Sequence, residues 1–252
     1  MSGHSKWSTI KRSKGAADAK RGALFTKFGR ELAIAAREGG GDPNANFKLR
    51  LIMDKARAAN MPKENIERAI KRGTGELKGE AELEMTYEGY GPNGVAMLVR
   101  VVTDNRNRAA AEVRRAFTRH GGSLGETGCV AWMFEPKGYL AVTVGEGQDA
   151  DGIAMSAIDA GADDVVPLDS TVEVYTKLED FQWVRESLEK RSLELVEQEP
   201  IWMSPKTLVQ LGEKETIQAM SLIDDLEELE DVTKVFTNLE ISDAALEKYQ
   251  AA

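Results

Sequence analysis

Eight cations, Lys6, Lys11, Arg12, Lys14, Lys20, Arg21, Lys27 and Arg30, lie in the first 30 residues, which hold a single acid, Asp18. Side chains of this kind at this density neutralise phosphates and release counterions, holding a polyanion in place without reading its sequence. Arg106 and Arg108 open a second, smaller basic face in "NRNRAAAEVRRAFTRHGG", continued by Arg114, Arg115 and Arg119. Such a face suits either pairing with nearby carboxylates or contact with phosphate. His4 and Trp7 add groups able to stack on an unpaired base, although packing of Trp7 against helices serves equally well.

Other chemistries lack a constellation. The one cysteine, Cys129, sits in an apolar stretch and His120 precedes "GGS", with no Ser/His/Asp or Cys/His set at a recognisable spacing. Two histidines and one cysteine neither build a standard structural zinc site nor form an internal disulfide. Asp224 and Asp225 are neighbours on a helix and point in different directions, so they make a poor magnesium pair. Gly89, Gly91 and Gly94 match G-x-G-x-x-G, but Pro92 and Asn93 place a turn between two strands, where a dinucleotide needs a strand-to-helix junction. No enzyme activity, cofactor or metal is expected.

Charge divides the chain in two. Residues 1–75 hold 17 Lys+Arg against 7 Asp+Glu, a net of +10; the rest holds 16 against 35, a net of -19, within an overall -9. A basic end on an acidic body attracts polyanions at one end and repels them at the other, orienting the encounter. Hydrophobic residues make up 42%, and no apolar run reaches the roughly 18 residues of a membrane span. The expected protein is soluble, with no membrane partner. The lone cysteine fits a reducing cytoplasm. No secretory apolar region follows Met1, and the Ser/Lys/Arg-rich start resembles a transit peptide only loosely, lacking an amphipathic apolar face.

Helical elements must position the basic end. Between Ala16 and Arg37, Leu24, Phe25, Phe28, Leu32, Ala35 and Ala36 share one face, while Lys20, Lys27, Arg30 and Arg37 fall on a separate arc interrupted by Ile34. The glycines of "REGGGDPNANF" end this helix; Asp42 and Pro43 are expected to cap and open the next, and Pro62 a third ending at Gly73. The short turn before the third helix permits a helix-turn-helix reading, with Lys63, Asn65, Arg68, Lys71 and Arg72 toward a groove.

After "RGTGELKGE" the period alternates. "ELEMTYEGYGPNGVAMLVRVVTDN" reads as two strands about a turn, followed by a helix from Asn105 to Gly121 and a strand over "GCVAWMFE". From Gly138 the order is β-α-β-β-α-β, a ferredoxin-like arrangement; "PIWMSPKTLVQL", a helix and "DVTKVFTN" then add β-α-β, completing a second such sheet around the first. The expected fold is multidomain α+β. A three-helix bundle (1–78) precedes two ferredoxin-like α/β domains, one discontinuous (79–136 plus 201–252) and one inserted in it (137–200).

The stretches "GHSKW", "KGAADAKRGALFTKFGREL", "GGGDPNANFKLR", "KARAANMPKENIERAI", "YEGYGPNGVAM", "TDNRNRAAAEVRRAF" and "GGSLGETGCVAWMF" together strongly resemble the YebC/PmpR family over almost the whole chain. Cys129 and Trp132 stand where Ser and Tyr are expected, which touches strand packing alone. The resemblance implies three domains and no catalysis. It implies a DNA-binding transcriptional regulator or, as the alternative, a translation factor that engages the ribosome and its RNA and aids synthesis of proline-rich stretches; mitochondrial relatives are translational activators of cytochrome oxidase. Nucleic acid, DNA or ribosomal RNA, is therefore the expected partner. With no dimerising coiled coil in view, a monomer is favoured.

Overall fold

The computed structural model describes residues 18–78, 81–168 and 170–251. Among the described residues three helices come first: α1 (Asp18–Gly39), α2 (Phe47–Ala58) and α3 (Lys63–Gly73). Leu32, Leu49, Ala56, Ile66 and Ala69 close their shared core, as the apolar spacing predicts. Gly73 lets α3 approach α1 backbone to backbone: a Cβ there would sit 2.2 Å from the Ala33 carbonyl oxygen. The second helix does not start at Pro43. Asp42–Ala45 form a turn, and Asn46 is the cap, accepting from the Leu49 N–H at 3.0 Å while donating to the Ala35 and Gly40 carbonyls. One side chain thus caps α2 and ties it to the end of α1.

The remaining chain builds two four-stranded antiparallel sheets. One contains β1 (Leu83–Tyr90), β2 (Ala96–Thr103), β3 (Ser123–Leu124) and β9 (Val232–Thr237), in the order β3-β1-β2-β9. The other contains β4 (Phe134–Thr143), β5 (Asp164–Pro167), β6 (Thr171–Thr176) and β7 (Leu195–Pro205), in the order β5-β6-β4-β7 expected of a ferredoxin-like unit. Helix α4 (Arg106–Arg119) connects β2 to β3, α5 (Ala150–Asp159) and α6 (Phe181–Lys190) serve the second sheet, and α7 (Glu213–Glu228) leads to β9. A short β8 (Val209–Gln210) pairs in parallel with β10 (Leu239–Glu240), and α8 (Asp243–Ala251) ends the described chain. The glycine run between β1 and β2 is a hairpin turn in which Asn93 and Gly94 take positive φ, 57° and 80°.

Strand β2 is buried on both faces. Val99 and Val101 pack with Phe117, Leu222 and Val235 under α4 and α7, while Ala96 and Leu98 meet the second sheet. There Tyr139 stacks on Trp202 (ring centroids 4.4 Å apart), and Trp202 meets Phe236 edge-on. This aromatic seam joins the sheets.

Two strand expectations are corrected. "GCVAWMFE" is not one strand, because the Glu88 carboxylate accepts from the Gly128, Val130 and Ala131 N–H groups at 2.6, 2.9 and 2.8 Å and holds the segment as a turn. Burial pushes that carboxyl up in pKa, but the three N–H groups outweigh burial and leave it below its ordinary value. "PIWMSP" does not join the β3-β1-β2-β9 sheet. It prolongs β7 and pairs with β4, Phe134 opposite Pro205, which an edge strand tolerates despite its prolines.

Candidate nucleic-acid interface

Of the cations expected to meet phosphate, Lys6, Lys11, Arg12 and Lys14 lie outside the described residues, as does the side chain of Lys20. Arg21 is exposed on α1. The next two along that helix turn inward. Lys27 is half-buried and its Nζ donates to the Glu227 carbonyl at the end of α7.

Arg30 is 8% exposed, bonded through Nη1 to Asp231 and through Nη2 to the Glu230 carboxylate at 3.1 Å, with Glu82 3.7 Å from Nε. Asp231 in turn accepts from Arg108 Nη2 and Thr103 Oγ1, at 3.0 and 2.9 Å. Two guanidiniums and a hydroxyl therefore share the carboxylate of a residue only 2% exposed. In place of the phosphate contact expected of it, Arg30 clasps the helical unit to the turn before β9. Arg108 holds the same carboxylate and also pairs with Asp104 at 2.8 Å.

Ile34, the apolar break in the cationic arc, belongs to the same docking face. It is 1% exposed and shares a small cavity with Ile52, Val102 and Thr233. A second set of ion pairs secures α2 to the sheets. Glu199 on β7 takes Lys55 at 3.4 Å and Arg100 at 3.2 Å, while Lys234 reaches Glu197 at 2.7 Å. Burial raises the Glu199 carboxyl, but Lys55, Arg100 and Lys234 outweigh it and hold the group below the usual value; burial wins at neighbouring Glu31, which is raised. Lys55, Arg100 and Glu199 line a central cavity of about 530 Å³ with Phe47 and Phe236 among its apolar walls.

Exposed cations remain on the outer side of the helical unit: Arg37 on α1, then Lys63, Arg68, Lys71 and Arg72 on α3. Lys63 lies 3.6 Å from Glu67. On α4, Arg106 is exposed, with its carbonyl accepting from the Tyr87 hydroxyl; Arg114 and Arg115 are exposed as well, and Arg119 pairs with Asp225. His120 Nε2 lies 2.8 Å from Asp225, and Asp224 accepts from the Tyr249 hydroxyl, so the two adjacent carboxylates serve structural bonds. Burial and neighbouring Glu88 push the Cys129 thiol up, which opposes thiolate formation.

Sequence reasoning missed the segment that holds Lys27, through the Glu227 carbonyl, and Arg30, through Glu230 and Asp231. Glu227, Glu230 and Asp231 sit in the run "EELED", which reads as solvated helix surface. Nothing local in that run marks Asp231 as buried.

The amino-terminal part of the chain, residues 5–76, matches the family model described as the TACO1/YebC protein N-terminal domain, and residues 83–239 match the TACO1/YebC second and third domain. The chain belongs to the TACO1/YebC family. Proteins named "Probable transcriptional regulatory protein" from Moorella thermoacetica and Dictyoglomus turgidum are 53% and 50% identical to it, each match covering 98% of this chain and 99% of the relative. The crystal structure of a conserved hypothetical protein from Aquifex aeolicus superposes with a TM-score of 0.83 at 45% identity, covering 90% of this chain and 93% of that one. This TACO1/YebC chain therefore has the family's mixed helix-and-sheet fold. Among the described residues, no helix is long and apolar enough to cross a membrane.

Proposed function

We propose that this TACO1/YebC protein is a non-enzymatic regulator of gene expression that binds DNA through its basic amino-terminal unit. The partition of charge carries the reading: +10 over residues 1–75 against -19 over the rest. Phosphate contact through Lys6, Lys11, Arg12, Lys14, Lys20 and Arg21 positions the protein on a backbone, and Arg106 extends contact to the outer sheet unit. The acidic body repels the same backbone and fixes which end approaches. The relatives named transcriptional regulators agree with a DNA target.

The test is the salt dependence of binding by the full chain to a labelled DNA duplex. Each lost phosphate contact lowers the slope of log K against log salt by about 0.9. Replacing Lys6, Lys11, Arg12 and Lys14 by Gln therefore lowers it by about 3 to 4, and a flat response in the unaltered protein removes the proposal. Crosslinking in cells, with sequencing of both DNA and RNA, reads the target: enrichment of DNA sites supports the proposal. Enrichment of ribosomal RNA alone replaces DNA by the ribosome.

A further inference from the structure

A cleft of about 360 Å³ opens between α1, α3 and the segment leading into β1. Its lining has a charge imbalance that two larger cavities lack. In the central cavity Lys48, Lys55 and Arg100 face Glu84, Glu88 and Glu199, and each cation sits within 3.5 Å of a carboxylate oxygen. In the cavity between α1, α2 and β7, four cations face four acids. Among the described residues, the outer cleft has Arg37, Arg72 and Lys78 against Glu82.

Those three cations are exposed, and none has a carboxylate within ion-pair distance among the described residues. Glu82 lies against Arg30 and also feels the charge of Arg72, but burial is the larger influence and pushes its carboxyl up in pKa, which weakens the negative charge it brings to the cleft. The nearby Glu76 carboxylate accepts from Thr74 Oγ1 at 3.0 Å.

Small residues give the cleft its depth. Ala33, Gly73, Gly75 and Ala81 line it, and Gly75 takes φ 82° with open space where a Cβ would stand. The Arg72 guanidinium lies over Gly29 of α1, 3.6 Å from where its Cβ would be. Guanidiniums with no carboxylate in ion-pair distance among the described residues, beside an open, small-residue surface, suit phosphate oxygens, which they can grip with two parallel bonds.

We infer that this cleft is a second phosphate-binding site, in which Arg37, Arg72 and Lys78 hold the sugar–phosphate backbone of a nucleic acid. The inference rests on the nucleic-acid reading above and adds Arg37, Arg72 and Lys78 to the cations assigned there.

The test compares two full-length triple variants of equal charge by fluorescence anisotropy, using a labelled DNA duplex and a labelled RNA hairpin across a salt series. Arg37→Gln/Arg72→Gln/Lys78→Gln empties the cleft; Lys177→Gln/Lys190→Gln/Lys214→Gln removes three exposed lysines elsewhere. The cleft variant is expected to lower the salt slope by about 2 to 3 and to weaken binding about tenfold or more, with the control slope unchanged. Loss on the duplex, on the hairpin or on both supports the site and identifies the backbone it takes. An unchanged slope in the cleft variant, or an equal loss in the control, overturns the site while salt-dependent binding by the unaltered protein keeps the broader reading. Absence of such binding in the unaltered protein overturns both. Should the cleft triple fail to fold, Lys78→Gln alone is expected to lower the slope by about 1, and no change there overturns the site.

Discussion

Arg30 and Arg37 stand seven residues apart on α1, within about 20° of one another around the helix, yet they live in different surroundings. Arg30 is enclosed by Asp231, Glu230 and Glu82; Arg37 faces an open cleft with Arg72 and Lys78. The helix supplies the same side chain in the same direction twice. What differs is the element packed opposite: the acidic turn before β9 covers one end of the stripe, and no described carboxylate pairs with the other. A row of cations is therefore not one surface. Its near part anchors the helical unit to the body, and its far part is available to a partner.

The largest effect comes from breaking the anchor. Arg30→Met leaves buried Asp231 with one guanidinium, Arg108, where it had two, and takes away the cation facing Glu82 and Glu230; stability to denaturant should fall by about 2 to 3 kcal/mol, somewhat less than the cost of an uncompensated buried charge. Equal stability would mean that the clasp is no anchor and that the contrast with Arg37 is false.

Next comes the packing that sets the stripe's direction. Gly73→Ala drives a methyl into the Ala33 carbonyl of α1, costing about 1 to 3 kcal/mol, read as a lower unfolding temperature. The cleft should lose its shape with it.

A pH series sharpens the anchored side. Glu199 has a lowered folded pKa, so its contribution is present above its ordinary value of 4.5 and is lost as pH falls through the folded value. Glu199→Gln should destabilise at neutral pH and cost nothing below that point. Glu31 is raised, so its charged form is the costly one: Glu31→Gln should stabilise at neutral pH, with a gain that shrinks as pH falls toward 4.5. Denaturant midpoints across pH separate the two, and parallel curves would contradict the assignment.

The smallest stability effect belongs to Arg37. Arg37→Gln removes an exposed charge with no carboxylate partner among the described residues, and the unfolding free energy should stay within about 0.5 kcal/mol.

Much of this was legible in the sequence because it is local. The apolar spacing of α1, the β-α-β-β-α-β order after Gly138 and the two-ended charge all follow from short-range patterns. The fate of Arg30 was not, since its partner Asp231 lies 201 positions away and looks solvated where it stands. The start of α2 was misplaced because Asp42–Pro43 is a strong local signal, whereas Asn46 prevails through bonds to the end of α1. The segment after Gly128 alternates like a strand and is bent by Glu88, forty residues earlier. Family resemblance identified the chain without revealing which cations are occupied.

The most direct measurement sets Arg30→Gln beside Arg37→Gln, each followed by denaturant unfolding and by salt-dependent binding to a labelled DNA duplex at a temperature where both are folded. The account predicts a crossed result: Arg30→Gln loses stability and keeps its salt slope, while Arg37→Gln keeps stability and loses about 0.9 of slope. Equal behaviour of the two variants in both assays would contradict it.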